Sequence, residues 1–240
     1  MKILVTGGLG FIGSNFILRT LEKYPDFKIT NIDACLPGSN LKNLPKLNEK
    51  NYSYVKGNIT DKKIVDKLIS KSDVVINFAA ESHVDRSISN PRPFIDSNII
   101  GVYTILEAIR KHKKKMIQIS TDEVFGSLKS GSANEEFVFN PSSPYAASKA
   151  SAEMLVKSYT TTYDCDVIIT RCTNNYGPRQ SPEKLIPKVI LLAGKNQKIP
   201  IYGTGKNIRD WIFVLDHCDA ILKILFKGKK GKSYNIAGKN

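Results

Sequence analysis

Apolar positions along the chain alternate between short β-rich runs and longer stretches with helical period. KILVTG predicts a first strand, and a helix follows near residues 11–24. KITNID predicts strand two, YSYVKGNI strand three, and a helix starts from Asp61. SDVVINFAA is a fully apolar strand four. From Asn90-Pro91 to Arg110 the pattern is that of one long helix, with its prolines confined to the start, where a missing N–H costs nothing. KMIQIST predicts strand five, Tyr145 to about Tyr163 a second long helix, and VIITR strand six. Continuous apolar strands separated by helices imply a parallel sheet covered on both faces. The expected fold class is therefore α/β, a Rossmann-type doubly wound parallel sheet.

Beyond residue 173 the texture changes. Short strands around PIYG, DWIFV and SYNIAG alternate with helices near 182–193 and 216–226. This predicts a dinucleotide-binding domain over residues 1–173 and a smaller, incomplete substrate lobe over 174–240. No internal repeat or low-complexity segment interrupts the pattern.

The first glycines sit where such a fold needs them. Gly7, Gly10 and Gly13 form G-x-x-G-x-x-G between strand one and its helix. Residues without Cβ let the backbone approach a pyrophosphate, which then rests on the helix N-terminus. Asp33 ends strand two about twenty positions later, where a carboxylate accepts from both ribose hydroxyls and repels a 2′-phosphate. No arginine follows it, so NAD is expected rather than NADP.

Strand five ends in Ser120-Thr121-Asp122-Glu123, and the next long helix opens with Tyr145-Ala146-Ala147-Ser148-Lys149. Tyrosine and lysine four apart share one helix face. An ammonium beside a phenol favours the phenolate and is expected to lower the Tyr145 pKa. Ends of parallel strands are where doubly wound sheets place ligands.

Net charge and cysteines change this picture little. The formal charge of +14 is concentrated at Lys111, Lys113, Lys114 and Lys115 and again at residues 227–232. Both clusters follow a predicted helix, where lysines complement the helix dipole. Neither is interleaved with aromatics as a base-stacking surface requires, so nucleic-acid binding is not expected. The four cysteines, at 35, 165, 172 and 218, show no metal-ligand spacing, and no metal site is expected. No apolar run is long enough to cross a bilayer, and MKILVTGG enters a strand directly, so a cytoplasmic protein without signal peptide or membrane contact is expected.

Six ordered motifs, G-x-x-G-x-x-G, FAAESHVD, STDEVFG, PSSPYAASK, RCTNNYGPRQSPEKLIP and YGTGKNIRDWIFVLDH, resemble the extended short-chain dehydrogenase/reductase family through nearly the whole chain. Within it they are similar to the dTDP-glucose 4,6-dehydratases. The resemblance implies that Tyr145 takes the proton from sugar O4 while NAD accepts hydride from C4. Lys149 would tune Tyr145 and hold the nicotinamide ribose, and Thr121 would bond near O4. Glu123 would remove the C5 proton, and Asp122 would protonate the departing C6 hydroxyl. Such a pair needs environments that separate the two pKa values.

The same resemblance assigns Phe11, Ile12, Asn58, Ile59, Ala79, Ala80, Ser97 and Asn175 to the cofactor. Ser82, Asn174, Lys184, Leu185, Pro200, Ile201, Tyr202, Arg209 and Asn235 would contact the nucleotide-diphosphate-glucose. Arginine suits a diphosphate because its fork donates two parallel bonds. His83 is read as a positioning residue. The resemblance also implies a homodimer through the helices at 91–110 and 145–163, with Ile99, Tyr103, Leu106, Met154 and Leu155 either at that interface or covering the sheet.

Asn58-Ile59 stands where the family usually has Asp-Ile, Ala34-Cys35 after the ribose acid is unfamiliar, and the family continues beyond SYNIAG. A sister epimerase or decarboxylase, a shortened non-catalytic protein that binds NAD or nucleotide-sugar, and a basic RNA-binding protein are the rival expectations. Epimerases of the family typically carry small residues after the first Ser/Thr, and decarboxylases keep the Glu without the Asp. The Asp122-Glu123 pair therefore favours the dehydratase.

Overall fold

The fold was analysed in a computed structural model, which describes all residues except 45, 46, 129, 202, 239 and 240. Seven parallel strands form the main sheet: β1 (Lys2–Thr6), β2 (Lys28–Asp33), β3 (Tyr52–Lys56), β4 (Val74–Asn77), β5 (Lys115–Thr121), β6 (Val167–Cys172) and β9 (Ser233–Ile236), in the order β3-β2-β1-β4-β5-β6-β9. The order reverses direction between β1 and β4. At that point the connections leave to opposite faces and open a crevice above the C-terminal strand ends.

Alternation along each strand divides the core into two layers. Ile3, Val5, Val74, Ile76, Ile117, Ile119 and Ile168 point to one face, under α1 (Phe11–Lys23) and α8 (Val214–Lys227). Leu4, Val75, Met116, Val167 and Ile169 point to the other, under α2 (Lys62–Ser70), α5 (Val102–His112) and α6 (Pro144–Tyr163). Both layers are dry, so strands buried on both sides read as unbroken apolar runs. Helix starts follow local chemistry. The Asp61 carboxylate accepts from the N–H groups of Lys63 and Ile64 to cap α2, and the Ser143 hydroxyl accepts from Ala146 N–H to cap α6.

Three features differ from the sequence expectation. The long helix at residues 90–110 is not uniform. It runs as α4 (Arg92–Ile95), a π-helical turn at Asp96–Gly101, then α5. The wider turn directs the Asn98 side chain inward, where it accepts from Glu81 N–H and donates to the Glu81 carbonyl and the Ser148 hydroxyl, at 2.9, 3.0 and 2.9 Å.

SYNIAG does not belong to a separate lobe, because β9 pairs with β6 and extends the main sheet. Val214, Cys218, Ile221, Leu222 and Leu225 of α8 likewise join the core against α1, so the apolar face of α8 finds its partner in the first layer. Outside that sheet, β7 (Asn174–Tyr176) pairs only with β8 (Trp211–Phe213), and α7 (Leu185–Gly194) has no buried residue. Finally, Pro200 and Ile201 form no strand, and Tyr202 lies outside the described residues.

Candidate active site

The crevice is a cavity of about 580 Å³ at the C-terminal ends of β1, β4, β5 and β6. One half is built from the glycine turn. Gly7 has φ +68, and a Cβ there would lie 2.6 Å from Ala79 N; a Cβ on Gly13 would lie 2.5 Å from the Gly7 carbonyl. Glycine at these two positions is thus forced by backbone packed on backbone. Gly10 is different, with φ −73 and nothing nearer to its Cβ position than Gly7 O at 3.3 Å. Its missing side chain leaves space on the cavity side, and no side chain caps α1 there. The first-turn N–H groups of α1 are therefore unclaimed and face a ligand-sized space, which is the chemistry a pyrophosphate needs.

Asp33 is buried at the rim of this half. One of its carboxylate oxygens accepts from Leu9 N–H at 3.0 Å, and the other accepts from Cys35 N–H and the Ser39 hydroxyl, both at 2.8 Å. Three donors leave acceptor capacity for one more, as a ribose hydroxyl requires. Phe11, Ile12, Asn58, Ile59, Ala79, Ala80, Ser97 and Asn175 all line the same cavity. Within the sheet that carries the cavity a buried polar chain is satisfied: Thr6 donates to Asn77, Asn77 donates to Gln118, and Gln118 donates to the Ile119 carbonyl. These residues fit NAD by geometry and donor set.

Thr121, Tyr145 and Lys149 line the other half. Thr121 is the last residue of β5, opposite Cys172 of β6. Tyr145 and Lys149 stand on the first turns of α6. Lys149 is buried and donates to the Ile119 carbonyl at 2.7 Å. Burial lowers its pKa to about 8, against the opposing pull of Glu153. Burial likewise raises the Tyr145 phenol, with the neighbouring Cys172 adding to the rise and Thr121 opposing it. The expected lowering of Tyr145 by Lys149 is therefore not met. The lysine is itself desolvated and bonded to backbone, so loss of water from the phenol dominates.

Asp122 and Glu123 do not line the cavity. They occupy a 3₁₀ turn, Asp122–Phe125, immediately behind Thr121. The Thr121 hydroxyl accepts from Glu123 N–H at 3.2 Å and donates to Asp122 at 3.3 Å. Burial first, and then the neighbouring Glu123 charge, raise Asp122 to about 6. Asp122 is therefore suited to carry a proton close to neutral pH.

The remaining predicted residues divide. Ser82, Asn174, Lys184, Leu185 and Arg209 line the cavity. Pro200 lines an adjoining space of about 560 Å³ that shares Leu185, Arg209 and Trp211 with the first. Ile201 lines neither and is 76% exposed. Asn235 does not reach the cavity either. As a β9 residue beside Arg171 its amide donates to the Ala133 carbonyl, and its N–H donates to Glu135. His83 lines the cavity with Nε2 3.9 Å from Glu183, which is 3.2 Å from Arg86.

Sequence reasoning missed Cys172, Gln180, Glu183, Arg86 and Trp211 as lining residues. Cys172, Gln180, Glu183 and Trp211 lie within the motifs named above, which was the available signal. It also missed His217, buried in α8 beneath Asn175. Among the described residues no cluster of His, Cys, Asp and Glu could hold a metal, and no helix is long and apolar enough to cross a membrane.

The family described as GDP-mannose 4,6 dehydratase matches residues 4–240. The chain belongs to that family. Among its relatives, the low-salt glycan biosynthesis protein Agl12 of Haloferax volcanii is 46% identical over 238 residues, 98% of this chain and 76% of that protein. A dTDP-glucose 4,6-dehydratase of Mycobacterium tuberculosis is 45% identical over 242 residues, 99% of this chain and 72% of the relative. A crystal structure of a Bacillus anthracis dTDP-glucose 4,6-dehydratase in complex with NAD superimposes with a TM-score of 0.94 at 48% identity, covering 100% of this chain and 76% of that one. The likeness to that solved structure accounts for the α/β sheet order.

Proposed function

We propose that this protein is an NAD-dependent nucleotide-sugar 4,6-dehydratase acting on dTDP-glucose, a lyase of deoxysugar biosynthesis. The observation that carries this reading is the Asp122-Glu123 turn, with its raised acid, set immediately behind Thr121, which together with Tyr145 lines a cavity shaped for NAD. The relatives named dTDP-glucose 4,6-dehydratase support it.

The glycine turn and α1 N-terminus would hold the pyrophosphate, and Asp33 the adenosine ribose. Asn58 and Ile59 would meet the adenine, while Ala79, Ala80, Ser97 and Asn175 line the path to the nicotinamide. NAD held there would supply a reversible two-electron acceptor, so that oxidation at C4 and later reduction at C6 would leave no net redox change. Tyr145, in its phenolate form, would receive the O4 proton, with Thr121 beside it and Lys149 one turn along the same helix face. The ketone at C4 acidifies the C5 proton, which Glu123 removes. That electron pair forms the C5–C6 double bond as the C6–O bond breaks, and Asp122 donates the proton with which the oxygen leaves as water. Ser82 and Asn174 border the sugar, and Lys184 and Arg209 face the diphosphate. Burial lowers the Lys184 pKa, and a bound dianion would oppose that shift.

We further infer a cytoplasmic homodimer joined through the helices at 92–112 and 144–163. Ile95, Ile100, Tyr103 and Met154 are exposed on them, whereas Leu106 is buried under the sheet and Leu155 packs against the core. Light scattering that returns one chain mass overturns the dimer without touching the chemistry.

Incubation with dTDP-glucose or UDP-glucose and NAD in deuterated water tests the reaction. Loss of one water with deuterium at C5 is expected, faster with dTDP-glucose. An epimerised sugar of unchanged mass, or no conversion of either sugar, overturns the reading.

A further inference from the structure

The acid-base turn and the tyrosine-lysine helix are joined by a buried ion pair. Arg171 on β6 and Glu153 on α6 are 1% and 0% exposed and meet at 2.8 Å. Nε and one terminal nitrogen of Arg171 both donate to the Glu153 carboxylate. The other terminal nitrogen donates to the Glu135 carbonyl at 3.1 Å, so the guanidinium is fixed in plane. Two rings pack against it, Phe125 at 5.0 Å and Phe139 at 5.1 Å, and these two rings also meet each other edge to face at 6.0 Å.

Glu153 stands one helical turn beyond Lys149 and pulls its pKa upward. Phe125 is the last residue of the turn that carries Asp122 and Glu123. In a 3₁₀ turn residues three apart eclipse, so Phe125 lies below Asp122 on one side of that turn. The turn is fixed from behind as well. Asn140 N–H donates to the Val124 carbonyl at 3.0 Å, and a Cβ on Gly126 would lie 2.1 Å from the Asn140 carbonyl.

We propose that Phe125 is a positioning residue for the elimination half of the reaction. Stacked on the Arg171–Glu153 pair, it sets the distance from the Asp122-Glu123 turn to the tyrosine and lysine of α6. This inference rests on the dehydratase reading above. Phe139 touches the same guanidinium and the edge of Phe125 but belongs to no catalytic segment, so its loss reaches the acid-base turn only through Phe125. Displacing Phe125 leaves Tyr145, Lys149 and the glycine turn in place. Oxidation at C4 therefore proceeds, while C5 proton removal and C6 water loss, which need the carboxyl groups in register, slow down.

Single-turnover experiments with dTDP-glucose and NAD, quenched and read by mass, separate the two halves. Wild type is expected to yield the dehydrated sugar. Phe125→Leu is expected to accumulate the C4 ketone that has lost two hydrogens but no water. Its water loss should be slowed about tenfold or more and its C4 oxidation changed by no more than about twofold, since misplacement of about 1 Å suffices for such losses. Phe125→Tyr, which keeps the ring, should restore elimination, and Phe139→Leu should give a smaller imbalance between the two rates than Phe125→Leu. Thermal melting of each variant separates lost folding from lost register. Equal slowing of oxidation and water loss in Phe125→Leu, or the same imbalance in Phe139→Leu, overturns the inference. If Phe125→Leu does not fold, an imbalance absent from Phe125→Trp overturns it as well. A wild-type chain that never releases water overturns the dehydratase reading itself.

Discussion

His217 Nδ1 lies 2.8 Å from the Asn175 Oδ1, at the back of the cavity, while His217 Nε2 is buried with no hydrogen-bonding partner. The Asn175 amide donates to the Thr173 carbonyl, so its oxygen is the acceptor and the imidazole carries its proton on Nδ1. A ring with a dry, unpartnered second nitrogen resists protonation, and burial lowers its pKa to about 4.

This fixes a pH dependence of stability. Between about pH 4 and 6.5 the unfolded chain binds a proton at His217 that the folded chain does not, so stability falls as pH is lowered through that window. The full contribution is about 3 kcal/mol, from about 1.4 kcal/mol per pKa unit. Urea melts of wild type and His217→Gln at pH 7 and pH 4.5 check it. The wild type should lose more stability than the variant, and equal losses would contradict a neutral buried His217.

The glycine turn separates fold from ligand. At Gly13 a methyl group would press on the Gly7 carbonyl at 2.5 Å, so Gly13→Ala is expected to lower stability by about 1–3 kcal/mol, the range of ordinary steric lesions. At Gly10 the φ of −73 is ordinary and the nearest atom lies at 3.3 Å. Gly10→Ala is therefore expected to melt close to wild type while its NAD affinity falls about tenfold or more, equivalent to about 1.4 kcal/mol. Calorimetric titration with NAD beside a thermal melt distinguishes the two variants. A Gly10→Ala protein that binds NAD normally contradicts the pyrophosphate assignment.

Much of this was legible in the sequence for a physical reason. Strands such as VVIN and VIITRC are buried on both faces, so they read as apolar runs. Caps such as Asp61 and Ser143 act on neighbours two or three residues away. The missed features are non-local. SYNI carries polar side chains, and only its pairing with β6 shows that it belongs to the sheet. The π-helical turn is a choice of hydrogen-bond register that puts Asn98 against Glu81 and Ser148, contacts 17 and 50 residues away. Arg171 and Glu153 look like surface charges until β6 and α6 bury them together. The sign of the Tyr145 shift depended on how much water surrounds its hydroxyl, which spacing does not encode.

Lys149 carries a cost that mutation should remove. Burial lowers its pKa from 10.5 to about 8, so the folded chain holds fewer protons than the unfolded chain between those values. Stability from this group is present above 10.5 and is lost as pH falls to about 8, leaving a buried ammonium at neutral pH. Lys149→Met keeps the stem and discards the charge. It is expected to gain about 1–3 kcal/mol at pH 7, an advantage that shrinks at pH 10, while turnover disappears. Denaturant melts at the two pH values measure it. A variant less stable than wild type at both would mean that the bond to the Ile119 carbonyl outweighs desolvation.

Asp122 shifts the other way, and its two consequences are separable. Its carboxyl is raised to about 6, so between about pH 3.8 and 6 the folded chain binds a proton that the unfolded chain releases. Stability from this group is present at low pH and is lost as pH rises through that window. The residue is only partly buried, which discounts the cost above pH 6 to about 1–2 kcal/mol. Asp122→Asn removes the charge and keeps the shape, so it should melt higher than wild type at pH 7.5 but not at pH 4. In the proposed reaction the same change deletes the proton donor for the C6 hydroxyl, and general acids contribute about 10²–10⁴-fold. Water loss should fall by about that factor while oxidation at C4 survives, so a ketone of glucose chain length accumulates and no dehydrated product appears. Paired melts and quenched-turnover masses read both effects from one variant. A stability gain with unimpaired dehydration would leave Asp122 a strained neighbour and move the acid role elsewhere.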